Sequence, residues 1–380
     1  MMRPGHGLLL IVFALLTLGV VMVNSAGLTV DPPRAIDLGQ VLLGRPTVLA
    51  IVAVGMLLIG SRIPVQRLYA ARGLASPVPW IVLGSLVLLV AVHVPGIGRE
   101  VNGARRWISL GPIGFQPSEV AKWGLIIVLA WYAAGRAGAM GSLWRGFAPP
   151  MLLVGVVCAL IATEDLGTAV LIGVVAVIVL LGGGAKLWHT ALLAPPAAVA
   201  VGAALLTSPY RLDRLRAFLD PYQDAQGIGY HMIQSMAAVA GGGLAGRGLG
   251  NGVQKFGYLP EDTTDFIFAI ICEELGLIGA VVVICLYAGL LLCGLAIIRR
   301  VPDSFSRLLG LGILATIGLQ ALINMAVVTG LAPTKGIALP LLSAGGTGWA
   351  LTAFCVGLLV SMDRTSAAQV SESHSIAGPG

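Results

Sequence analysis

A chain of 380 residues that is 57% hydrophobic and 11% charged, with a mean hydropathy of +0.94, is far from the soluble norm of roughly 45–50% apolar and about 25% charged. It reads as an integral membrane protein. The net charge of +6 fits loop arginines on such a protein and gives no sign of a nucleic-acid partner.

A crossing takes about 20 mostly apolar residues. That ruler finds ten candidate spans: 7–25, 46–60, 78–95, 117–136, 147–163, 167–184, 187–207, 265–298, 308–330 and 337–361. The first follows Arg3 without a small-residue cleavage site and reads as a retained span. The second is short and could start nearer Val41. Pro195-Pro196 should break or kink the seventh, since proline removes a backbone donor and crowds the preceding turn. The eighth is too long for one upright crossing, so part of it should leave the helix. The expected fold is an all-α polytopic membrane protein of about ten transmembrane helices over 1–364, with one large extracytoplasmic loop, 208–264, between the seventh and eighth. The small, polar stretch 365–380 reads as a disordered cytoplasmic tail. Short loops and span ends carry 11 basic residues on the side of the termini against 7 on the other. That bias places both termini in the cytoplasm.

Long loops in compact proteins tend to be functional, and the motifs gather there. In "NGARRWISLGPIGFQPSEVAKWG", Asn102–Gly124, Pro117 suits the first position of a helix, with Ser118 and Glu119 in its first turn. Glu119 and Lys122, three apart, share a face and can pair. Arg105, Arg106 and Trp107 fall where loop meets membrane. One reading is a plain helix start with an aromatic anchor; the other is an anion-binding lip of guanidinium groups. In "TEDLGTA", Asp165 is either a helix cap or a contact to a cation or substrate hydroxyl. "SPYRLDRLRAFLDP" places Arg211 and Arg214 on one side of a short amphipathic helix at the headgroups. "GGGLAGRGLGNGVQK", with Arg247 and Lys255, lacks the ending of a P-loop. It is either a flexible connector or a backbone amide nest for phosphate.

"LPEDTTDFIFAIICEELG", Leu259–Gly276, carries three carboxylates into an apolar run. Asp265 stands where the eighth helix begins, and a helix N-terminus would keep it ionised, as a general base requires. A plain N-cap is the competing role. Glu273 lies about 80° round the helix and ~12 Å deeper, and Glu274 points nearly opposite to Asp265. Those two read as a structural pair, held by basic or polar groups of neighbouring helices. Downstream, "TGLAPTKGIALPLLSAGGTGWA" breaks an apolar run with prolines and glycines, which is tolerated at membrane depth only around protein or a wet cavity. Lys335 adds a cation there, and Ser343 a hydroxyl. The five histidines, His6, His93, His189, His231 and His374, show no ligand spacing and receive no role. Nor do the five cysteines, Cys158, Cys272, Cys285, Cys293 and Cys355, whose apolar settings argue against disulfides or zinc.

Taken in order, "NGARRWISLGPIGFQPSE", "DLGTA", "GGGLAGRGLG", "LPEDTTDFIFAIICEELG" and "LPLLSAGGTG" resemble the SEDS family of cell-wall polymerases and elongation or division proteins, over nearly the whole chain. "NGARRW" and "APTKGIALP" look closer to the division branch, FtsW, than to the elongation branch, RodA. Two stretches depart from the family pattern: Thr163-Glu164 replace a usual Gln-Pro before Asp165, and Ser343-Ala344-Gly345-Gly346-Thr347-Gly348 replaces Ser-Tyr-Gly-Gly-Ser-Ser.

The resemblance implies a peptidoglycan glycosyltransferase of the cytoplasmic (inner) membrane that polymerises lipid II with inversion. It implies Asp265 as general base on the acceptor 4-hydroxyl and undecaprenyl diphosphate as leaving group. Candidate substrate-binding residues are then Arg106, Glu119, Lys122, Asp165, Arg211, Arg214, Lys255, Lys335 and Ser343, with Glu273 and Glu274 structural. A divalent cation, Mg or Mn, is expected without an assigned ligand set, and no organic cofactor. Implied partners are lipid II, undecaprenyl-diphosphate-linked glycan, a class B penicillin-binding protein and other division or elongation proteins. A lipid II flippase and a scaffold that activates the transpeptidase are the alternatives.

Overall fold

The structure is a computed structural model that describes residues 3–27, 39, 43–70, 76–101, 104–110 and 113–376. Asn102, Gly103, Gly111 and Pro112 of the first motif, a start of the second span near Val41, and the last four residues of the tail lie outside them.

The described helices are α1 Pro4–Ala26, α2 Arg45–Arg62, α3 Val65–Ala70, α4 Pro77–Ala91, α5 Pro117–Gly135, α6 Ala148–Ala162, α7 Leu166–Gly182, α8 Leu187–Leu206, α9 Pro209–Leu219, α10 Tyr230–Gly241, α11 Ile267–Arg300, α12 Ser304–Val328 and α13 Gly346–Ile376. Among the described residues, seven helices are long and apolar enough to cross a membrane, α6 counting with the turn before it. The shorter α4 and α7 are also apolar, and α5 carries Glu119 and Lys122 in its first turns. Each expected span thus has its helix, and the chain is an integral membrane protein. The core is continuous and runs through α1, α5, α7, α11, α12 and α13. α1 packs on α11, α2 on α13, and α12 against both α5 and α7.

Four features differ from the sequence reading. The loop before α5 folds into a small antiparallel sheet, β1 Gly98–Val101, β2 Ala104–Leu110 and β3 Ile113–Phe115, in the order β1-β2-β3. Its short alternating run is too brief to stand out beside the apolar spans. α8 continues through Pro195 and Pro196. Each proline removes one helical hydrogen bond, and the intact turns on both sides carry the helix across. The tenth span starts at Gly346, nine residues later than expected, because Pro340 and Gly345 keep 337–345 non-helical. Finally, α13 runs on to Ile376 where disorder was expected; no Gly or Pro stands between Gly357 and Gly378.

The length of α11 is resolved by a break. Gly276 has φ 66° and ψ −161°, a conformation open to glycine and costly for other residues. The segment Ile267–Leu275 and the remaining helix therefore run as two pieces.

Candidate active site

A cavity of about 1300 Å³ opens between β2, α9, α10, the turn before α11 and the loop between α12 and α13. Its walls bring together Asp265, Arg106, Glu119, Asp165, Arg214, Lys335 and Ser343 of the expected site residues. It exceeds the ~300–1,000 Å³ usual for one small ligand.

Asp265 precedes α11 and does not cap it: the N-cap is Phe266, which makes no side-chain cap hydrogen bond. Its backbone is pinned instead. Asn324 Nδ2 on α12 donates to the Asp265 carbonyl at 2.7 Å and to the Ile337 carbonyl at 2.8 Å. The Ala344 amide donates to the Thr263 carbonyl at 2.8 Å. Two stretches of broken backbone are thus tied face to face around the carboxylate. Gly336 completes the wall, since a Cβ there would sit 3.0 Å from Asp265 Oδ2 and 3.9 Å from Arg106 Nη1.

The helix start does not hold Asp265 ionised. Burial, then the neighbouring Glu261 carboxylate, push its pKa up to about 7, against the pull of Arg214 and Arg106. Asp262 beside it rises to about 6, mainly through burial. Desolvation disfavours the charged form more than two guanidinium groups favour it here. A carboxylate titrating near neutrality is suited to taking a proton.

Arg106 reaches the cavity because of a β-bulge. In the register of β1 and β2, Arg99 faces Trp107 and Glu100 faces Arg105, so Arg106 is the extra residue. Bulges re-aim side chains beside active sites. Arg105 pairs outward with Glu100 at 3.4 Å, while Arg106 Nη1 stands 3.7 Å from Asp165 Oδ2. The Arg106 Nε is buried without a hydrogen-bond partner. Asp165 caps α7, accepting from the Thr168 amide at 3.0 Å and hydroxyl at 2.8 Å, and meets Arg106 as well. Thr347 at the start of α13 ties the sheet down, donating to the Gly114 carbonyl at 3.2 Å.

Arg214 on α9 donates to the Thr334 carbonyl at 3.2 Å and to the Tyr210 hydroxyl, lying over the Tyr210 ring. The Lys335 stem runs beside Gly167 near Asp165: a Cβ on Gly167 would lie 3.4 Å from each side chain. Ser343 lines the wall, but its hydroxyl accepts the Leu339 amide at 2.7 Å, which shapes the loop. Glu119 lines the cavity and accepts from Lys122 Nζ at 2.7 Å.

Three expected cations lie elsewhere. Lys122 is buried beneath Glu119 and also donates to Gln320 Oε1 at 3.2 Å. Arg211 clamps the backbone, donating to the Ala162, Thr163 and Ala204 carbonyls. Lys255 is wholly buried against Glu274 at 2.7 Å. The glycine-rich stretch is neither a loose connector nor a phosphate nest. Its amides bind the protein's own Glu273 and Glu274 carboxylates: Gly250 and Gly252 donate to Glu274, Val253 and Gln254 to Glu273. The sequence reading looked to neighbouring helices for these partners; one, Ser25 of α1, donates to Glu274 at 2.7 Å.

An Mg ion is usually held by one or two carboxylates together with substrate phosphates, so the expected Mg or Mn ion needs no cage made by the protein alone. Among the described residues no group of three or more His, Cys, Asp or Glu side chains is placed to hold a metal, and Asp165 is committed to Thr168 and Arg106.

The sequence reading missed Asn324, Gln320, Glu261 and His231. Asn324 and Gln320 were detectable as an i,i+4 polar pair on an apolar helix, where polar side chains are expensive and functional by default. His231 lines the cavity, its ring 6.1 Å from that of Phe266. Burial and Arg214 hold its pKa below the usual value, against Glu261.

The chain is similar to known proteins along nearly its whole length. The model of the Cell cycle protein family that comprises FtsW, RodA and SpoVE matches residues 6–368. The probable peptidoglycan glycosyltransferase FtsW of Trichlorobacter lovleyi is 40% identical over 93% of this chain and 92% of its own. That of Thioalkalivibrio sulfidiphilus is 40% identical over 95% and 90%. A solved chain from a peptidoglycan synthase complex that coordinates polymerization and crosslinking superposes with a TM-score of 0.75 at 31% identity, covering 95% of this chain and 97% of that one. The rod shape determining protein RodA of Thermus thermophilus does so with a TM-score of 0.65 at 28% identity over 94% and 96%. Full-length coverage at this identity means that the chain belongs to the FtsW, RodA and SpoVE family of cell cycle proteins, the SEDS family that its motifs resemble.

Proposed function

We propose that this protein is a peptidoglycan glycosyltransferase that polymerises lipid II at the cytoplasmic membrane, with Asp265 as general base. The observation that carries the reading is Asp265 itself: a carboxyl pushed up to about 7, in the wall of a large cavity with Arg106, Arg214 and Lys335. The curated relatives named for glycosyl transfer support the same chemistry. In this mechanism Asp265 takes the proton of the acceptor 4-hydroxyl. The freed oxygen forms a bond to the anomeric carbon of the growing strand as the bond from that carbon to the diphosphate oxygen breaks, with inversion. The electron pair leaves on undecaprenyl diphosphate, and Arg106, Arg214 and Lys335 neutralise that anion. Asp165 orients Arg106, and Glu119 presents a carboxylate to sugar hydroxyls.

The similarity to FtsW proteins favours a role in division over elongation. The solved synthase complex supports a class B penicillin-binding protein as partner. Both termini face the cytoplasm in this reading, and the cavity opens on the outer side. Purified protein, incubated with lipid II with and without the transpeptidase, tests the proposal. Glycan polymer that Asp265→Asn abolishes is the expected result. Lipid II crossing vesicle membranes without polymer would identify a flippase. A stimulated transpeptidase without polymer would identify a scaffold.

A further inference from the structure

The break in α11 leaves polar backbone exposed at both of its new ends, as any helix terminus does. The glycine-rich stretch fills the gap. The Arg247 and Gly248 amides donate to the Glu273 and Glu274 carbonyls at 3.0 and 2.9 Å, closing the first piece. The Leu277 and Ile278 amides donate to the Gly243 and Leu244 carbonyls at 2.9 and 3.3 Å, opening the second. Close approach requires glycine: a Cβ on Gly246 would lie 2.1 Å from the Glu274 carbonyl oxygen. The two carboxylates then hold the stretch from within, and Lys255 Nζ closes on Glu274 Oε1 at 2.7 Å, with both side chains 0% exposed. Ser25 Oγ stands between them, donating to Glu274 at 2.7 Å and accepting from Lys255 at 3.3 Å.

The Lys255–Glu274 pair closes a ring of chain with Asp265 near its middle, ten residues after Lys255 and nine before Glu274. One side of that ring is the helical piece Ile267–Leu275, whose residues Ile267 to Cys272 are buried. Its upstream end is pinned at Asp265 by Asn324. Two anchors, Asn324 at one end and the glycine-rich stretch at the other, set the place of this piece, so release of the second leaves the reacting carboxylate held by the first alone.

We propose that Glu274, neutralised by Lys255, is a positioning residue for the transfer reaction: it locks the outer loop into the break of α11 and thereby sets the place of Asp265. This rests on the reading of Asp265 as the base. Misplacing a reacting group by about 1 Å can cost on the order of 10²-fold in rate, so the effect belongs in kcat.

The test uses the purified full-length protein with its transpeptidase, lipid II polymerisation kinetics and amide hydrogen exchange. Glu274→Gln removes the anion. Gly252→Ala is a milder probe that keeps every charge, its Cβ 3.0 Å from Glu273 Oε2 and Glu274 Oε1. Both should lower kcat by about tenfold or more with KM changed less than about twofold. Exchange should quicken together in 245–254 and 266–275, with α12 still protected. The double variant Lys255→Met with Glu274→Gln restores charge balance but not the anion, and should stay slow. Wild-type kcat in Gly252→Ala or the double variant would overturn the proposal, as would faster exchange confined to the glycine-rich stretch. Faster exchange throughout α12 as well would mark a general stability role and overturn it too. An unsubstituted protein without polymerase activity would instead sink the reading of Asp265, and the exchange pattern would still judge the ring.

Discussion

At Asp265, burial and charge pull in opposite directions, and the balance sets when the carboxyl can accept a proton. Desolvation and Glu261 raise its pKa to about 7, while Arg214 and Arg106 lower it. A base must be deprotonated, so kcat/KM should rise with pH through about 7 and level off above it, falling about tenfold per unit below. Glu261→Gln removes a repelling charge and should move this acid limb to lower pH. Arg214→Ala should move it higher. Initial rates of polymerisation across pH 5–9, a range of about four units around that value, check both directions; a limb that ignores Glu261→Gln contradicts the electrostatic account. Gly336 makes a second residue-scale prediction. A methyl group there meets Asp265 Oδ2 at 3.0 Å, so Gly336→Ala should cut the rate by about tenfold or more while thermal unfolding in detergent stays near wild type.

The break in α11 and the non-helical loop between α12 and α13 are the elements that form the site, and both depend on single residues. Gly276 at φ 66° also lies against Gly246, where a Cβ would meet the amide nitrogen at 2.3 Å. Gly276→Ala should therefore destabilise the protein by more than the ~1–3 kcal/mol of such glycine-only backbone alone, read as a lowered unfolding temperature. Asn324 serves the opposite side, joining the Asp265 and Ile337 carbonyls. Asn324→Leu removes both donors and leaves two backbone acceptors short of a partner, which costs about 1–3 kcal/mol for each buried group. Activity should be lost well below the unfolding temperature of the variant.

Across the whole molecule, the long apolar runs marked the helix of each expected span because hydropathy records the solvent each residue faces. The carboxylate of Asp265 stood out for the same reason, as an expensive group at a membrane edge. What stayed hidden depends on partners distant in the chain. The glycine-rich stretch looked ready for phosphate because amide nests bind anions, and nothing local showed that the anion was Glu274, 24 residues from Gly250. Lys255 and Arg211 carried charge suited to a diphosphate, yet one is spent on Glu274 and the other on three carbonyls. The cap role of Asp165 was readable, but its contact with Arg106 appeared only once β2 brought that residue to it. Charge type is readable in sequence; which charges remain available to a ligand is settled by folding.

The most direct test of Asp265 as the catalytic base is lipid II polymerisation by purified wild-type protein and Asp265→Asn, each with the transpeptidase partner and across pH. The account predicts glycan strands from the wild type with an acid limb near 7, and none from a variant that folds, inserts and binds its partner normally. Polymer from Asp265→Asn at a rate near that of the wild type would contradict it.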